Sequence, residues 1–216
     1  FQTRDNKLLL TEEQYNAPHP VQDNSYGKTY GEHREYLEFS QEQHYELKKY
    51  CETIGIQYST SVWEINSARM IVELKPSFIK VPSACNNNFE MLKVLRDEYQ
   101  GEVQISFGMT TKAETEEVIK FFEVNNNAKD RLIIYSCTSG YPVPFKDISL
   151  LEINNLSEHS FVAPYKLIGA QALSVDKAIT FLIFLLFNNF FLTFRCSNPK
   201  IIMILLTLLL IKDDKM

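Results

Sequence analysis

A lysine and a series of hydroxyls recur at matching places along this chain. Lys80 closes on the apolar run Phe78–Val81 and leads into Pro82-Ser-Ala-Cys-Asn-Asn-Asn88; Ser106 lies in Ile105-Ser-Phe-Gly-Met109; Thr138 and Ser139 follow the apolar run 132–136. An ammonium ringed by hydroxyls and free backbone amides holds a phosphate or a carboxylate, and a lysine with a lowered pKa can also form a Schiff base. Taken singly, Lys80 is as readily a surface lysine, and each hydroxyl a loop or cap residue. Their repetition at the ends of successive apolar runs, with Ser83 directly after Pro82, points to one shared anion cradle. Tyr141, in the rigid turn Tyr141-Pro-Val-Pro144, either places its ring over the same mouth or serves as a core or hinge aromatic. Asn86 suits a ligand, a metal-bound water or a helix cap, and Asn87 and Asn88 are read as caps of the helix that follows.

Regular elements are needed to bring these groups together. From Ser40 the pattern alternates: a Ser40-capped helix to Glu52 ended by Gly55, a strand over Ile56–Ser59, a helix over Trp63–Glu73, a strand over Phe78–Val81 and a helix over Phe89–Tyr99. A strand over Val103–Ser106, a helix over Glu114–Glu123 capped by Thr111, and a strand over Leu132–Ser136 complete the clear part. Leu150–Leu156 is read as a short helix and Leu167–Gly169 as the start of another strand. This β-α order calls for a parallel sheet with right-handed crossovers, satisfied by an open doubly wound sheet or a closed barrel. No GxGxxG follows a first strand, and polar residues stand at every strand end and not at one switch point, which favours the barrel. The fold class expected is therefore α/β, a partial (β/α)8 barrel over 1–176. Residues 1–40 are expected to be a long ordered loop with one turn of helix at Leu10–Tyr15, where Thr11 is the N-cap.

The 177–216 segment departs from this pattern. Ala178–Phe194 and Ile201–Ile211 are almost wholly apolar and rich in Phe, Ile, Leu and Asn. Three readings stand side by side: a buried helix pair, a membrane hairpin whose first run is barely long enough to span, and translation outside the true reading frame. The chain opens at Phe1 without an initiator Met or a signal peptide, which reads as a fragment.

Several chemistries have no support. With 22 Lys and Arg against 27 Asp and Glu, scattered and not clustered, the chain lacks the basic field of a nucleic-acid binder. Its four cysteines form no CxxC and are expected to be reduced thiols of a cytoplasmic protein. The histidines, His19, His33, His44 and His159, show neither i,i+4 pairing nor HExxH; His44 is read as solvated on its helix and His33 as a loop hydrogen-bonding residue. Neither GxSxG nor a P-loop occurs, Tyr26-Gly-Lys-Thr-Tyr-Gly31 lacking the P-loop spacing.

Four segments in order, Tyr26-Gly-Lys-Thr-Tyr-Gly-Glu-His-Arg-Glu-Tyr-Leu-Glu-Phe-Ser40, Ile79-Lys-Val-Pro-Ser-Ala-Cys-Asn-Asn-Asn88, Ile105-Ser-Phe-Gly-Met109 and Cys137-Thr-Ser-Gly-Tyr-Pro142, resemble the sialic acid (N-acetylneuraminate) synthase family from Phe1 to about Leu156. The resemblance implies a (β/α)8 barrel that condenses phosphoenolpyruvate with an N-acetylated amino sugar of the N-acetylmannosamine type, giving a nine-carbon 2-keto acid and phosphate. It implies a divalent metal, Mn or Mg, as Lewis acid. By position, Thr60, Lys80, Ser83 and Ser106 match phosphoenolpyruvate-binding residues, while Tyr141, Ser139 and Gln2 match the substrate site. The chain departs from the family at Pro82 and Ala84, where a Gly pair is usual, at Cys85 in place of an acid, and at Ser139 in place of Asn. Also without counterpart are a first strand carrying a Glu, a Lys before Phe1, two metal-binding His after Ile168-Gly169, and an antifreeze-like C-terminal domain. The expectation is a synthase-like chain of impaired activity, a possible homo-oligomer without nucleic acid or membrane partners. The alternative is a non-catalytic remnant that binds anions or an intact synthase subunit.

Overall fold

A computed structural model of the protein describes residues 1–124, 126–140, 143–149, 152, 156 and 166–171, with 126, 127, 145 and 166–171 by backbone alone. The chain divides into two units, Phe1–Lys177 and Ala178–Met216; the apolar 177–216 segment and most of the helix expected at Leu150–Leu156 lie outside the described residues.

The described strands are β1 (Gln2–Thr3), β2 (Ser61–Val62), β3 (Phe78–Val81), β4 (Glu102–Phe107), β5 (Leu132–Cys137) and β6 (Lys166–Gln171). All pair in parallel, in the order β1-β2-β3-β4-β5-β6. A doubly wound sheet reverses its strand order at a switch point. This one runs in chain order throughout, as a singly wound α/β sheet does. The described helices are α1 (Asn6–Leu9), α2 (Glu12–Asn16), α3 (Tyr30–Tyr36), α4 (Gln41–Thr53), α5 (Ile65–Leu74), α6 (Phe89–Asp97), α7 (Lys112–Glu123) and α8 (Asn126–Lys129). Among the described residues no helix is long and apolar enough to cross a membrane.

Strand alternation divides the residues between two faces. Ile79, Val81, Val103, Ile105, Phe107, Leu132 and Ile134 form the helix-covered face, packed with Ala68 and Ile71 of α5, Met91, Leu92 and Leu95 of α6, and Val118, Ile119 and Phe122 of α7. Apolar positions three and four apart on each helix make these contacts possible. Side-chain caps set the helix starts: Ser40 and Thr111 form capping boxes with Gln43 and Glu114, and Asn88 accepts from the Met91 amide. Thr11 likewise caps α2 in a capping box with Gln14.

Three local expectations are corrected. Residues 1–40 are not one long loop: β1 forms at Gln2–Thr3, and a seven-residue helix, α3, begins at the Thr29 cap. The strand expected at Ile56–Ser59 lies at Ser61–Val62, because its pairing partners Gln2, Thr3 and Lys80 fix it there. His44 is not solvated but fully buried, whereas Tyr45 and Tyr50 on the same helix are 56% and 62% exposed. The side of α4 that faces the sheet is thus its histidine side, and the tyrosines face out.

His44 is buried because both ring nitrogens have partners. Tyr58 Oη lies 2.7 Å from Nδ1 and Thr3 Oγ1 lies 3.1 Å from Nε2. Thr3 in turn meets Thr60 Oγ1 at 2.9 Å. Burial holds His44 below its ordinary pKa, so it stays neutral in the fold. As pH falls through the unfolded value of about 6.5, the unfolded chain takes up a proton that the folded chain refuses, and stability declines. Tyr58→Phe leaves Nδ1 buried without its partner. The expected cost is about 1–3 kcal/mol, read as a lower urea midpoint at unchanged slope.

A candidate anion site at the strand ends

Gln2, Ser61, Lys80, Gln104 and Ile133 stand in register across the first five strands. Residues in one row point to one side, so Lys80 projects from the face opposite Ile79 and Val81. Its ammonium donates to the Val81 carbonyl at 3.0 Å and to Ser106 Oγ, and lies 5.3 Å from the centre of the Tyr135 ring. Two of its three protons are used, which leaves one to give. Tyr135 Oη donates to Gln104 Oε1 at 2.8 Å and so fixes the ring beneath the cation. Burial pulls Lys80 down to about 8. A cation held there at this cost gains most from an incoming anion.

Ser106, 1% exposed, accepts from Lys80, and Ser83 Oγ accepts from the Gly108 amide at 3.2 Å. A hydroxyl that accepts from an N–H keeps its own proton to donate. Both serines are therefore donors toward whatever lies beside the ammonium. Gly108 makes the convergence possible: a Cβ at that position would lie 2.7 Å from Ser139 Oγ, 2.9 Å from Ser83 Oγ and 3.1 Å from Cys137 Cβ. The turns after β3, β4 and β5 meet around it.

Of the expected site residues, Lys80 and Ser106 are in contact, while Ser83 and the exposed Ser139 join them through Gly108. Gln2 shares the row of Lys80 across Ser61. Thr60 is placed differently: its carbonyl accepts from the Lys80 amide at 3.2 Å, but its hydroxyl belongs to the buried Thr3–His44–Tyr58 chain. Tyr141 lies outside the described residues. Asn88 is a cap as expected, whereas Asn86 is 3% exposed and donates across to the turn after β4. The roles of Gly108, Gln104 and Tyr135 escaped sequence reading; for Gly108 the available signal was a glycine two residues past a strand serine.

Cys85 stands where the family resemblance expects an acid. Its thiol donates to the Val62 carbonyl, and burial pushes it up to about 12, so it is an inert packing group. Among the described residues no group of three or more His, Cys, Asp or Glu comes together to hold a metal. His19 and His33 do approach, with ring centres 4.2 Å apart, but Nδ1 of each is engaged by backbone: His33 Nδ1 accepts from the Tyr26 amide, and His19 Nδ1 lies 2.7 Å from the Val21 carbonyl oxygen. A cavity of about 210 Å³ opens elsewhere, lined by Phe107, Thr115, Ile119 and Ser136 between the sheet and α7, without Lys80. Lys80 and Ser106 project from the opposite face of the sheet.

Three comparisons bear on these residues. The model of the NeuB family matches residues 1–165. The N-acetylneuraminate-9-phosphate synthase of Drosophila melanogaster is 34% identical over 136 residues, covering 63% of this chain and 36% of that protein. The human protein of the same name is 33% identical over 156 residues, covering 72% of this chain and 42% of that one. The chain thus spans about two fifths of the length of these curated relatives. Among solved structures, the N-acetylneuraminic acid synthetase of Leptospira borgpetersenii superposes with a TM-score of 0.55 at 19% identity, over 70% of this chain and 60% of that one, a likeness of fold.

Proposed function

The chain belongs to the NeuB family, and on that premise we propose that it is built for the condensation of phosphoenolpyruvate with an N-acetylated amino sugar. In that reaction carbon 3 of the enol bonds to the sugar aldehyde carbon, water adds at carbon 2 and inorganic phosphate leaves, giving a nine-carbon 2-keto acid. Two of the curated relatives are named for a product phosphorylated on carbon 9, which is carbon 6 of a six-carbon acceptor. N-acetylmannosamine and its 6-phosphate are therefore the acceptors to compare. A closed (β/α)8 barrel belongs to the same proposal, and the parallel sheet in unbroken chain order supports it.

One observation carries the reading: the Lys80 ammonium, with Ser106 and Ser83 each holding a free hydroxyl proton, forms a dianion cradle at the strand ends. Lys80 supplies charge. The serines and any further amide supply direction, and the ring of Tyr135 keeps the ammonium from turning inward. Gln2, in the row of Lys80, is assigned to the sugar side of the site. The described residues offer no donor set that fits the divalent metal of the family's chemistry, so their roles are those of anion binding and positioning.

Calorimetric titration with phosphoenolpyruvate tests this directly. Saturable binding at micromolar to millimolar concentration is expected, lost in Lys80→Met. Phosphate release in the presence of either acceptor sugar and manganese establishes turnover; binding without release assigns the chain the non-catalytic role. No binding by a folded chain overturns the proposal.

A further inference from the structure

We propose that Asn86 is a positioning residue whose side-chain amide locks the turn after β4 to the turn after β3, and so sets the Gly108 amide and the Ser83 and Ser106 hydroxyls in place. The proposal rests on the anion-site reading and assigns that site a residue in contact with no part of the anion.

The geometry is specific about direction. Asn86 Nδ2 has two protons, and the structure uses both: one to the Ser106 carbonyl at 3.0 Å, the other to Thr110 Oγ1 at 2.6 Å. Thr110, having accepted, donates its own proton to the Gly108 carbonyl at 2.8 Å. The Gly108 amide then donates to Ser83 Oγ, on the same turn as Asn86. These bonds form a closed circuit from the β3 turn to the β4 turn and back. Every member has one possible polarity, because a primary amide can only donate through nitrogen.

The turn it holds does not rest there by itself. Met109 is at φ +57, in the left-handed region that a side chain disfavours, and is 72% exposed, so no packing keeps it there. The hydrogen bonds on either side of it, at Gly108 and Thr110, trace back to Asn86. Burial of Asn86 to 3% exposure raises the stakes: an unmade bond there has no water to replace it.

The test uses the full chain with phosphoenolpyruvate as probe, comparing Asn86→Leu, which keeps the bulk and removes both donors, with Lys80→Met. Calorimetry is paired with amide exchange of Gly108 by nuclear magnetic resonance. The expected result is about a tenfold loss of affinity in Asn86→Leu, with Gly108 exchanging much faster while the β3, β4 and β5 amides keep their protection. Unchanged affinity in Asn86→Leu, where Lys80→Met abolishes binding, overturns the positioning role and leaves the anion site standing. If Lys80→Met binds like the parent, the anion-site reading falls; Gly108 exchange then decides the lock alone, retained protection in Asn86→Leu overturning it and lost protection upholding it. Should Asn86→Leu fail to fold, the parent chain decides: slow exchange of both Asn86 side-chain protons supports the circuit, and fast exchange overturns it.

Discussion

Lys80→Met is expected to cost about 100-fold or more in affinity for phosphoenolpyruvate, since it removes one partner of a desolvated, hydrogen-bonded charge pair. The fold is expected to gain. Lys80 sits at about 8 because burial penalises its charge, and its unfolded value is about 10.4. Below the folded value both states are protonated, and the folded state carries the full desolvation penalty. Between about 8 and 10.4 the unfolded chain holds a proton that the folded chain has released, so stability rises with pH across that window. Methionine removes the penalty at neutral pH, and denaturant unfolding of the variant at pH 7 is expected to show a higher midpoint than the parent. A group that weakens the fold when charged fits a binding role better than a structural one.

The same logic fixes the pH dependence of binding. An anion beside Lys80 favours the ammonium, so the bound form keeps its proton to higher pH than the free form. Affinity is expected to hold up to about pH 8 and to fall as pH rises beyond it. Titrations at pH 6.5, 7.5, 8.5 and 9.5 read this directly. A flat profile in the parent chain would detach Lys80 from the ligand.

How much of this was legible beforehand depended on whether a residue's role was decided locally. The runs 78–81 and 132–137 declare themselves as strands by their mainly apolar residues, and 102–107 by the alternation of Val103, Ile105 and Phe107 with Glu102, Gln104 and Ser106. Ser40, Thr111 and Asn88 declare themselves as caps because the bond they make lies within three residues. Gln2–Thr3 could not be read. Two residues have no periodicity, and this strand exists only because Ser61 and Val62, some sixty positions away, pair with it. His44 failed for a related reason: nothing within its own helix marks it as buried, and its position was decided by Tyr58 and Thr3 arriving from other elements.

The site divides in the same way. Lys80 and Ser106 were readable as polar groups ending apolar strands, and the fold brings them into contact. Asn86 was ambiguous because the residue chemistry of a cap and of a cross-brace is identical; only the partner differs, and the partner is twenty positions away at Ser106. Thr60 matched a family position, yet its hydroxyl is engaged with Thr3. Position alone did not fix where a side chain points.

Gly108→Ala is expected to separate binding from folding, and Gly101→Ala to do the reverse. At Gly108 the added methyl would meet the hydroxyl oxygens of Ser83 and Ser139, at 2.9 Å and 2.7 Å. Serine side chains rotate, so the clash is relieved by turning both hydroxyls out of the cradle. The stability cost is then about 1 kcal/mol, at the low end for overpacking, but the donors no longer converge and affinity for phosphoenolpyruvate is expected to drop by about 30-fold, the equivalent of about 2 kcal/mol. At Gly101 the methyl would lie 2.1 Å from Tyr99 Oη and 2.7 Å from the Ser77 carbonyl. Neither can yield. Tyr99 is 2% exposed and donates to the Pro76 carbonyl at 2.6 Å, and the Ser77 carbonyl is backbone that accepts from Glu102. Gly101→Ala should therefore cost about 3 kcal/mol or more through overpacking and a broken buried hydrogen bond, while the folded fraction binds phosphoenolpyruvate like the parent. Thermal unfolding and calorimetry on the two variants give opposite signatures if the turn after β4 is the anion site. Equal losses of stability with unchanged affinity would make Gly108 a packing glycine and remove the cradle from the strand ends.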